Sequence, residues 1–214
     1  MNRLIDVGLE EQSVLLTRMG ELTYQTLAVS INGYIDGATV QGQVREMSDR
    51  LMLMADKVED RTFELIARFQ PVASDLRAIK SYMKIGYDFA RYGRYALDIS
   101  FINDQINGLK ECDPETKAYI EEMSGKVLQM VKISVDALRK LDVALAKTIS
   151  QPEREVDKMY LTHLKRLIDE EQTSGKCVIS SALMTRYLER IADHAVYVCE
   201  SILYIGTGEK TSLR

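Results

Sequence analysis

The sequence has few of the residues that interrupt helices or that bind most catalytic metals. Its 214 residues include three prolines, two histidines, four phenylalanines and no tryptophan. Three prolines force few breaks in the backbone, and the turn signals that an all-β fold needs at intervals of about 8–12 residues are absent. Hydrolases with a nucleophile and a base, and most catalytic zinc sites, would have to use His163 or His194. The composition therefore disfavours both an all-β fold and histidine-based catalysis.

The cysteines and the apolar runs of the chain bear on where the protein resides. Cys112, Cys177 and Cys199 are odd in number and no CxxC pair occurs, so the pattern predicts neither a disulfide framework nor a zinc ribbon. Acidic residues from Asp6 onward come too early for a secretory signal. No uncharged apolar run reaches the ~18 residues of a membrane-spanning helix. We therefore expect a reduced, cytoplasmic protein with no transmembrane segment.

The charge balance narrows the class of partner. The chain carries 28 basic and 32 acidic residues, a net charge of −4, and is 46% hydrophobic and 28% charged. This composition is typical of a globular protein with a hydrophobic core and excludes a chain that is disordered throughout. A dedicated nucleic-acid binder would show a surplus of basic residues. We therefore expect a globular protein that does not bind nucleic acid.

The hydropathy pattern predicts an all-α protein. Apolar residues recur at helical spacing over six long segments, at about 5–35, 39–69, 73–104, 114–149, 152–171 and 177–205. Prolines mark three of the boundaries, at Pro71, Pro114 and Pro152, and Asp113 supplies an N-cap directly before Pro114. No convincing strand remains between these segments.

The order of the segments indicates a division into two halves. Residues 103–113 are mostly polar and include Gly108, which is typical of a linker. Three long segments precede this linker and three follow it, and long helices joined by short loops suit antiparallel bundles. We therefore predict two tandem three-helix bundles of long, spectrin-like helices, formed by residues 1–105 and 106–214.

Two acidic pairs fall on neighbouring helices of the second half. Glu153 and Asp157 lie four residues apart on one predicted helix, and Glu189 and Asp193 lie four apart on another. This spacing places both carboxylates of a pair on one helix face. If the two faces meet, the converging charges form either a solvated acidic patch or a site for hard, oxygen-seeking cations. The spacing leaves both interpretations open.

Two longer strings carry a family resemblance. The turn after the second segment reads Gln70-Pro71-Val72-Ala73-Ser74-Asp75-Leu76-Arg77, and the last segment contains Leu188-Glu189-Arg190-Ile191-Ala192-Asp193-His194-Ala195. Both resemble the PhoU family of accessory regulators of phosphate-specific transport. The turn matches at every residue, and the helix departs only at Ala192, where glycine is usual. The resemblance covers nearly the whole chain and implies that the two three-helix bundles are related by pseudo-symmetry.

The resemblance also implies a metal site in the second half. Family members carry multinuclear iron or zinc clusters held by Glu/Asp-x-x-x-Asp motifs, one set per repeat. In this chain the motifs match at Glu153, Asp157, Glu189 and Asp193. We therefore expect these four side chains to bind an iron or zinc cluster.

The first half departs from the family pattern. Aligning its third segment on the last helix places Ala90 and Arg94 where carboxylates are expected, and Ser48 and Met52 fall near the positions of the other pair. A cation at residue 94 would repel a metal cluster. We therefore expect one metal site, in the second repeat only.

Enzymatic activity is not expected. A ferritin-like carboxylate enzyme needs Glu-x-x-His pairs, but Tyr160 and Ile191 lie three residues before the two histidines. Neither a GxGxxG nor a Walker A string occurs, so no phosphate-cradling loop is predicted.

The resemblance implies a regulator that restrains phosphate uptake when phosphate is ample. Family members dock on the cytoplasmic ATPase subunit of the phosphate transporter and, in many bacteria, on a membrane sensor kinase, and they often form homodimers. The sequence shows no phosphate site, so it does not support direct sensing of phosphate. The alternative is a PhoU-like helical adaptor for a different transporter, or a transcription regulator.

Overall fold

Helices form almost the entire protein. The computed structural model describes residues 3–107, 109–110, 112–169 and 174–214, and no strand occurs within those ranges. The helices are α1 Leu4–Asp36, α2 Gln41–Phe69, α3 Ala73–Ile106, α4 Pro114–Lys140, α5 Val143–Lys147, α6 Ser150–Asp169 and α7 Gly175–Thr207. None of the helices in the described part of the chain is apolar enough to cross a bilayer. The all-α prediction is confirmed.

Capping residues explain several helix boundaries. Gly37 adopts a left-handed conformation with a φ of 69°, and its N–H donates to the Gly33 carbonyl at the end of α1. Asp113 accepts a hydrogen bond from the Thr116 N–H at 2.8 Å, and Pro114 is the first residue of α4. Both boundaries follow from residues that are visible in the sequence.

The predicted fourth segment is broken in the structure. The continuous helix expected to residue 149 ends at Lys140, because Leu141 turns into the left-handed region with a φ of 49°. Asp142 then starts α5 by accepting a hydrogen bond from the Leu145 N–H at 2.9 Å. No glycine or proline marks this break, and the apolar pattern runs across it. The end of the fifth predicted segment and its following loop, residues 170–173, lie outside the described residues, as does Gly108.

The helices of each half pack together, and contacts between helices of different halves join the halves. In the first half α1, α2 and α3 contact one another, and in the second half α4, α6 and α7 do so, with α5 against α4 and α7. Contacts of α3 with α7 and of α1 with α4 bridge the halves. One buried apolar cluster includes residues from both, among them Met19, Phe89, Val131 and Ile191. The division at residues 105 and 106 remains a prediction, since the core is continuous across it.

Cys112 and Cys177 form a single disulfide, so the expectation that the cysteines of this protein are reduced is wrong for these two. The fold brings their Cα atoms to 5.1 Å although 65 residues separate them in sequence. The bond connects the segment before α4 to the first turn of α7, a tertiary contact that no local spacing reveals. Cys199 is free and buried.

Candidate metal centre

Helices α6 and α7 bring the predicted acidic residues together. Glu153 and Asp157 lie on α6, and Glu189 and Asp193 lie on α7. Asp157, Glu189 and Asp193 each offer a carboxylate oxygen, and these oxygens all lie within 4.8 Å of one another. Glu153 is buried one turn before Asp157, close enough for its charge to interact with both aspartates. We call these four side chains the carboxylate cluster.

Burial and mutual repulsion raise the affinity of this cluster for protons. Burial raises the pKa of Glu153, Glu189 and Asp193 above the ordinary values for carboxyl groups. The neighbouring charge of Asp157 raises the pKa of all three further, and that of Asp193 raises the pKa of both glutamates. Anionic carboxylates this close are stable only beside positive charge.

Three arginines supply positive charge to the cluster. Arg186 forms an ion pair with Glu189 at 2.7 Å, and Arg190 lies 3.6 Å from an Asp193 oxygen. Arg214 donates a hydrogen bond to Asp193, and its Nε lies 4.0 Å from a Glu153 oxygen. Arg214 could not be predicted from the sequence pattern, because it lies 21 residues after Asp193. The segment that follows α7 folds back along this helix and brings the two side chains together.

The donor set of the cluster suits a hard cation. It consists of carboxylate oxygens alone, which favour hard cations, whereas zinc sites mostly include nitrogen or sulfur ligands. Two or more of these oxygens can share one cation, since 4.8 Å is within reach across a metal ion. The residues present therefore fit a cation, with iron favoured over zinc by the chemistry of the donors.

The first half has no corresponding carboxylate cluster among its described residues. Met52, Ala90 and Arg94 line one groove between α2 and α3, with a volume of about 670 Å³. Asp56 and Glu59 also line this groove from α2. Across the described ranges, the one group of three acidic, histidine or cysteine ligands is that of Asp157, Glu189 and Asp193.

The two histidines take structural positions. The Nδ1 of His194 is hydrogen-bonded to the carboxylate of Asp88 at 2.8 Å, which joins α7 to α3 rather than to the carboxylate cluster. Burial raises the pKa of the Asp88 carboxyl group, and His194 opposes that shift. His163 is buried on α6, where its ring stacks on Tyr119 with 5.6 Å between centroids.

Comparison with known proteins identifies the family. A family model described as the PhoU domain matches residues 16–102 and again residues 120–202. The phosphate-specific transport system accessory protein PhoU homolog of Pseudomonas aeruginosa is 31% identical over 97% of this chain and 87% of its own length. The homolog from Clostridium acetobutylicum is 29% identical over 99% of this chain and 98% of its own.

Solved structures agree with this match. The crystal structure of PhoU from Pseudomonas aeruginosa has a TM-score of 0.89 at 30% identity, covering 95% of this chain and 99% of that one. The crystal structure of the phosphate transport system regulatory protein PhoU from Streptococcus pneumoniae has a TM-score of 0.88 at 21% identity, covering 97% of this chain and 99% of that one. This likeness supports the fold. The chain therefore belongs to the PhoU family.

Proposed function

We propose that this protein is a non-enzymatic accessory regulator of phosphate transport that works in the cytoplasm. The observation that carries the proposal is the match of the family model to both halves, together with relatives named for phosphate-specific transport across nearly the whole chain. In this proposal the protein restrains uptake by binding the ATPase subunit of the phosphate transporter and, where present, a membrane sensor kinase. The protein would change the activity of its partner by binding one conformational state of that partner more tightly than the other.

The surface of the first half supports a role in protein contact. Leu53 and Phe63 on α2 and Tyr87 on α3 are exposed apolar side chains, with fractional exposures of 62%, 58% and 61%. Long helices present such side chains in rows that a partner helix or a second copy of the chain can cover. We include a homodimer in the proposal, and sedimentation of the purified protein measures it.

Gene deletion and partner capture test this function. In the deletion strain we expect phosphate uptake to stay high when phosphate is ample, and re-expression of the full chain to restore its restraint. Cross-linking the tagged full-length protein in cells should capture the transporter ATPase subunit. Unchanged phosphate handling together with capture of an unrelated transporter or a transcription factor would instead support the adaptor alternative.

We further propose that the side chains of the carboxylate cluster bind iron or zinc ions as one multinuclear metal site. This site lies in the second half only. The support is the convergence of three carboxylates within 4.8 Å and the presence of Ala90 and Arg94 at the first-half positions that align with Glu189 and Asp193. When bound, the metal would take the place of Arg186 and Arg214 as the positive partner of Glu189 and Asp193 and would hold α6 against α7. Asp157, Glu189 and Asp193 would hold the metal directly, and Glu153, one turn before Asp157 on α6, would complete the predicted set of four.

Metal analysis tests this second proposal. Anaerobic purification with added iron should give metal at a single site per chain, and Asp157→Asn with Asp193→Asn should remove most of it. The matched control is Asp56→Asn with Glu59→Gln, which removes the same charge from the groove of the first half and should leave the metal content unchanged. Two clusters per chain, or none, would contradict the proposal.

A further inference from the structure

A second cavity lies beside the end of α7, and its chemistry differs from that of the carboxylate cluster. It has a volume of about 610 Å³ between α3, the last turns of α7 and the segment that follows α7. Small-molecule sites commonly range from about 300 to 1,000 Å³. Positive charge lines it from Lys80 and Lys84 on α3 and from Lys210 and Arg214 in the following segment, of which Arg214 also contacts the carboxylate cluster. We call this cavity the lysine pocket.

The three lysines of the pocket are exposed, and Lys84 interacts electrostatically with the buried Asp88 carboxyl group one turn away on α3. Among the described residues, none of their ammonium groups has a carboxylate within ion-pair distance. Glu200 is the acidic residue in the lining, and one of its oxygens accepts the Leu213 N–H at 3.1 Å. Positive charges held in one concave site repel one another, and an anion with several charges relieves that repulsion.

Two tyrosines form an aromatic wall of the pocket, and the Arg214 guanidinium lies 4.7 Å from the centroid of one of them, Tyr197. The ammonium of Lys84 lies 5.2 Å from the centroid of the Tyr197 ring, and Tyr204 follows two turns later on α7. Both tyrosines are half-buried, so part of each side chain remains accessible from the pocket. An aromatic wall beside lysines can contact the ring system of a ligand while the lysines bind its charge.

We propose that the lysine pocket binds a small molecule carrying two or more linked phosphate groups, such as a nucleoside polyphosphate or an inorganic polyphosphate. A single inorganic phosphate would occupy a small part of 610 Å³ and reach few of the lysines. A linked chain of phosphates can contact lysines on both α3 and the segment after α7. Sequence reasoning found no phosphate site because Lys80 and Lys210 are far apart in the chain and form no phosphate-loop motif.

This inference goes beyond the proposed function and is tested separately from it. Calorimetric titration of the purified full-length protein with ATP, inorganic triphosphate and inorganic phosphate, at fixed ionic strength, measures binding without any transporter. We expect ATP and triphosphate to bind more tightly than phosphate. A failed titration would overturn the pocket assignment and leave the role in phosphate transport untouched, since that role is measured in cells.

Charge-matched variants separate the pocket from general electrostatic attraction. Lys84→Gln with Lys210→Gln should weaken triphosphate binding by about tenfold. The control is Lys147→Gln with Lys165→Gln, which changes the net charge equally at exposed lysines on α5 and α6 and should leave affinity unchanged. Circular dichroism confirms that each variant is folded. Equal weakening by both pairs, or tighter binding of phosphate than of triphosphate, would overturn the proposal.

A third variant distinguishes the two sources of the phosphate chain. Tyr204→Ala should weaken ATP more than triphosphate if the aromatic wall contacts the nucleoside, and this outcome supports the proposal with a nucleotide as ligand. If ATP and triphosphate bind equally well to the unmodified protein and to the Tyr204→Ala variant, the phosphate chain alone is the recognised group. This outcome also supports the proposal. Absence of binding for every phosphate compound at about 2 mM contradicts it in either form.

Discussion

Gly93 lies at a close approach of α3 to α2, where a side chain would meet its neighbours. A Cβ at this position would lie 2.9 Å from Leu51 Cδ1 and 3.4 Å from Ser48 Cα. The Leu51 side chain is fully buried, and the Ser48 Oγ, which would lie 3.3 Å from the added Cβ, is buried as well, so neither can move without displacing other core atoms. We expect Gly93→Ala to lower the free energy of unfolding by about 1–2 kcal/mol, because overpacking outweighs the gain in helix propensity.

Gly125 provides the control for this substitution. It lies in the interior of α4, and nothing is within 4 Å of a Cβ placed there. Gly125→Ala should raise the free energy of unfolding by up to about 1 kcal/mol through helix propensity alone. Urea denaturation followed by far-ultraviolet circular dichroism measures both variants. If Gly93→Ala stabilised the protein as much as Gly125→Ala, the close contact with α2 would be disproved.

At the scale of elements, the disulfide ties the entry of α4 to the first turn of α7. Cys112→Ser with Cys177→Ser should lower the free energy of unfolding by about 2–4 kcal/mol, since the bond closes a long loop in the unfolded chain. Denaturation with and without reductant checks this. Reductant should bring the unmodified protein to the stability of the variant and have no effect on the variant itself.

Titration with a thiol reagent tests the same disulfide, because it counts the cysteines that are free to react. Burial raises the pKa of the Cys199 thiol to about 12, so this side chain is protonated and unreactive near neutral pH. Without reductant, the native protein should therefore show no reactive thiol and the denatured protein one. After reduction and denaturation all three cysteines should react. A second reactive thiol in the unreduced, denatured protein would contradict the disulfide.

Long elements with clear end signals could be predicted from the sequence, whereas breaks without such signals could not. Helix α1 was predicted at 5–35 and spans Leu4–Asp36, and α7 was predicted at 177–205 and spans Gly175–Thr207. The break between α4 and α5 was missed because Leu141, an apolar residue, takes a left-handed conformation that usually calls for glycine. Leu141 is itself 40% exposed, and the turn at this residue lets α5 pack against α4 and α7.

The candidate site was predictable to the extent that it follows helical periodicity. The i, i+4 spacing of each acidic pair places both carboxylates on one face, and the packing of α6 on α7 brings the faces together. The involvement of Arg214 depends on the path of the chain after α7, which no periodicity records. The lysine pocket was missed for the same physical reason, since its charges come from separate elements.

At the scale of the whole molecule, polar contacts and the core connect the halves. Tyr34 on α1 and Ser180 on α7 share a buried hydrogen bond of 2.6 Å, and Asp88 on α3 is bonded to His194 on α7. The bonded residues are 146 and 106 positions apart in sequence, respectively. Buried polar groups that depend on each other across two halves favour unfolding of the halves as one unit.

Phe89 offers a direct test of that cooperativity. The fully buried ring of Phe89 on α3 and the side chain of Val135 on α4 both lie within 3.2 Å of a Cβ placed at Gly20 on α1. Phe89→Ala should lower the free energy of unfolding by about 3–5 kcal/mol, and amide hydrogen exchange should accelerate in α6 as much as in α2. Phe63→Ala, at a side chain that is 58% exposed on α2, should change stability by about 0.5 kcal/mol or less. If α6 kept its protection while α2 lost it in the Phe89 variant, the two halves would be independent folding units, and the continuous core would not couple them.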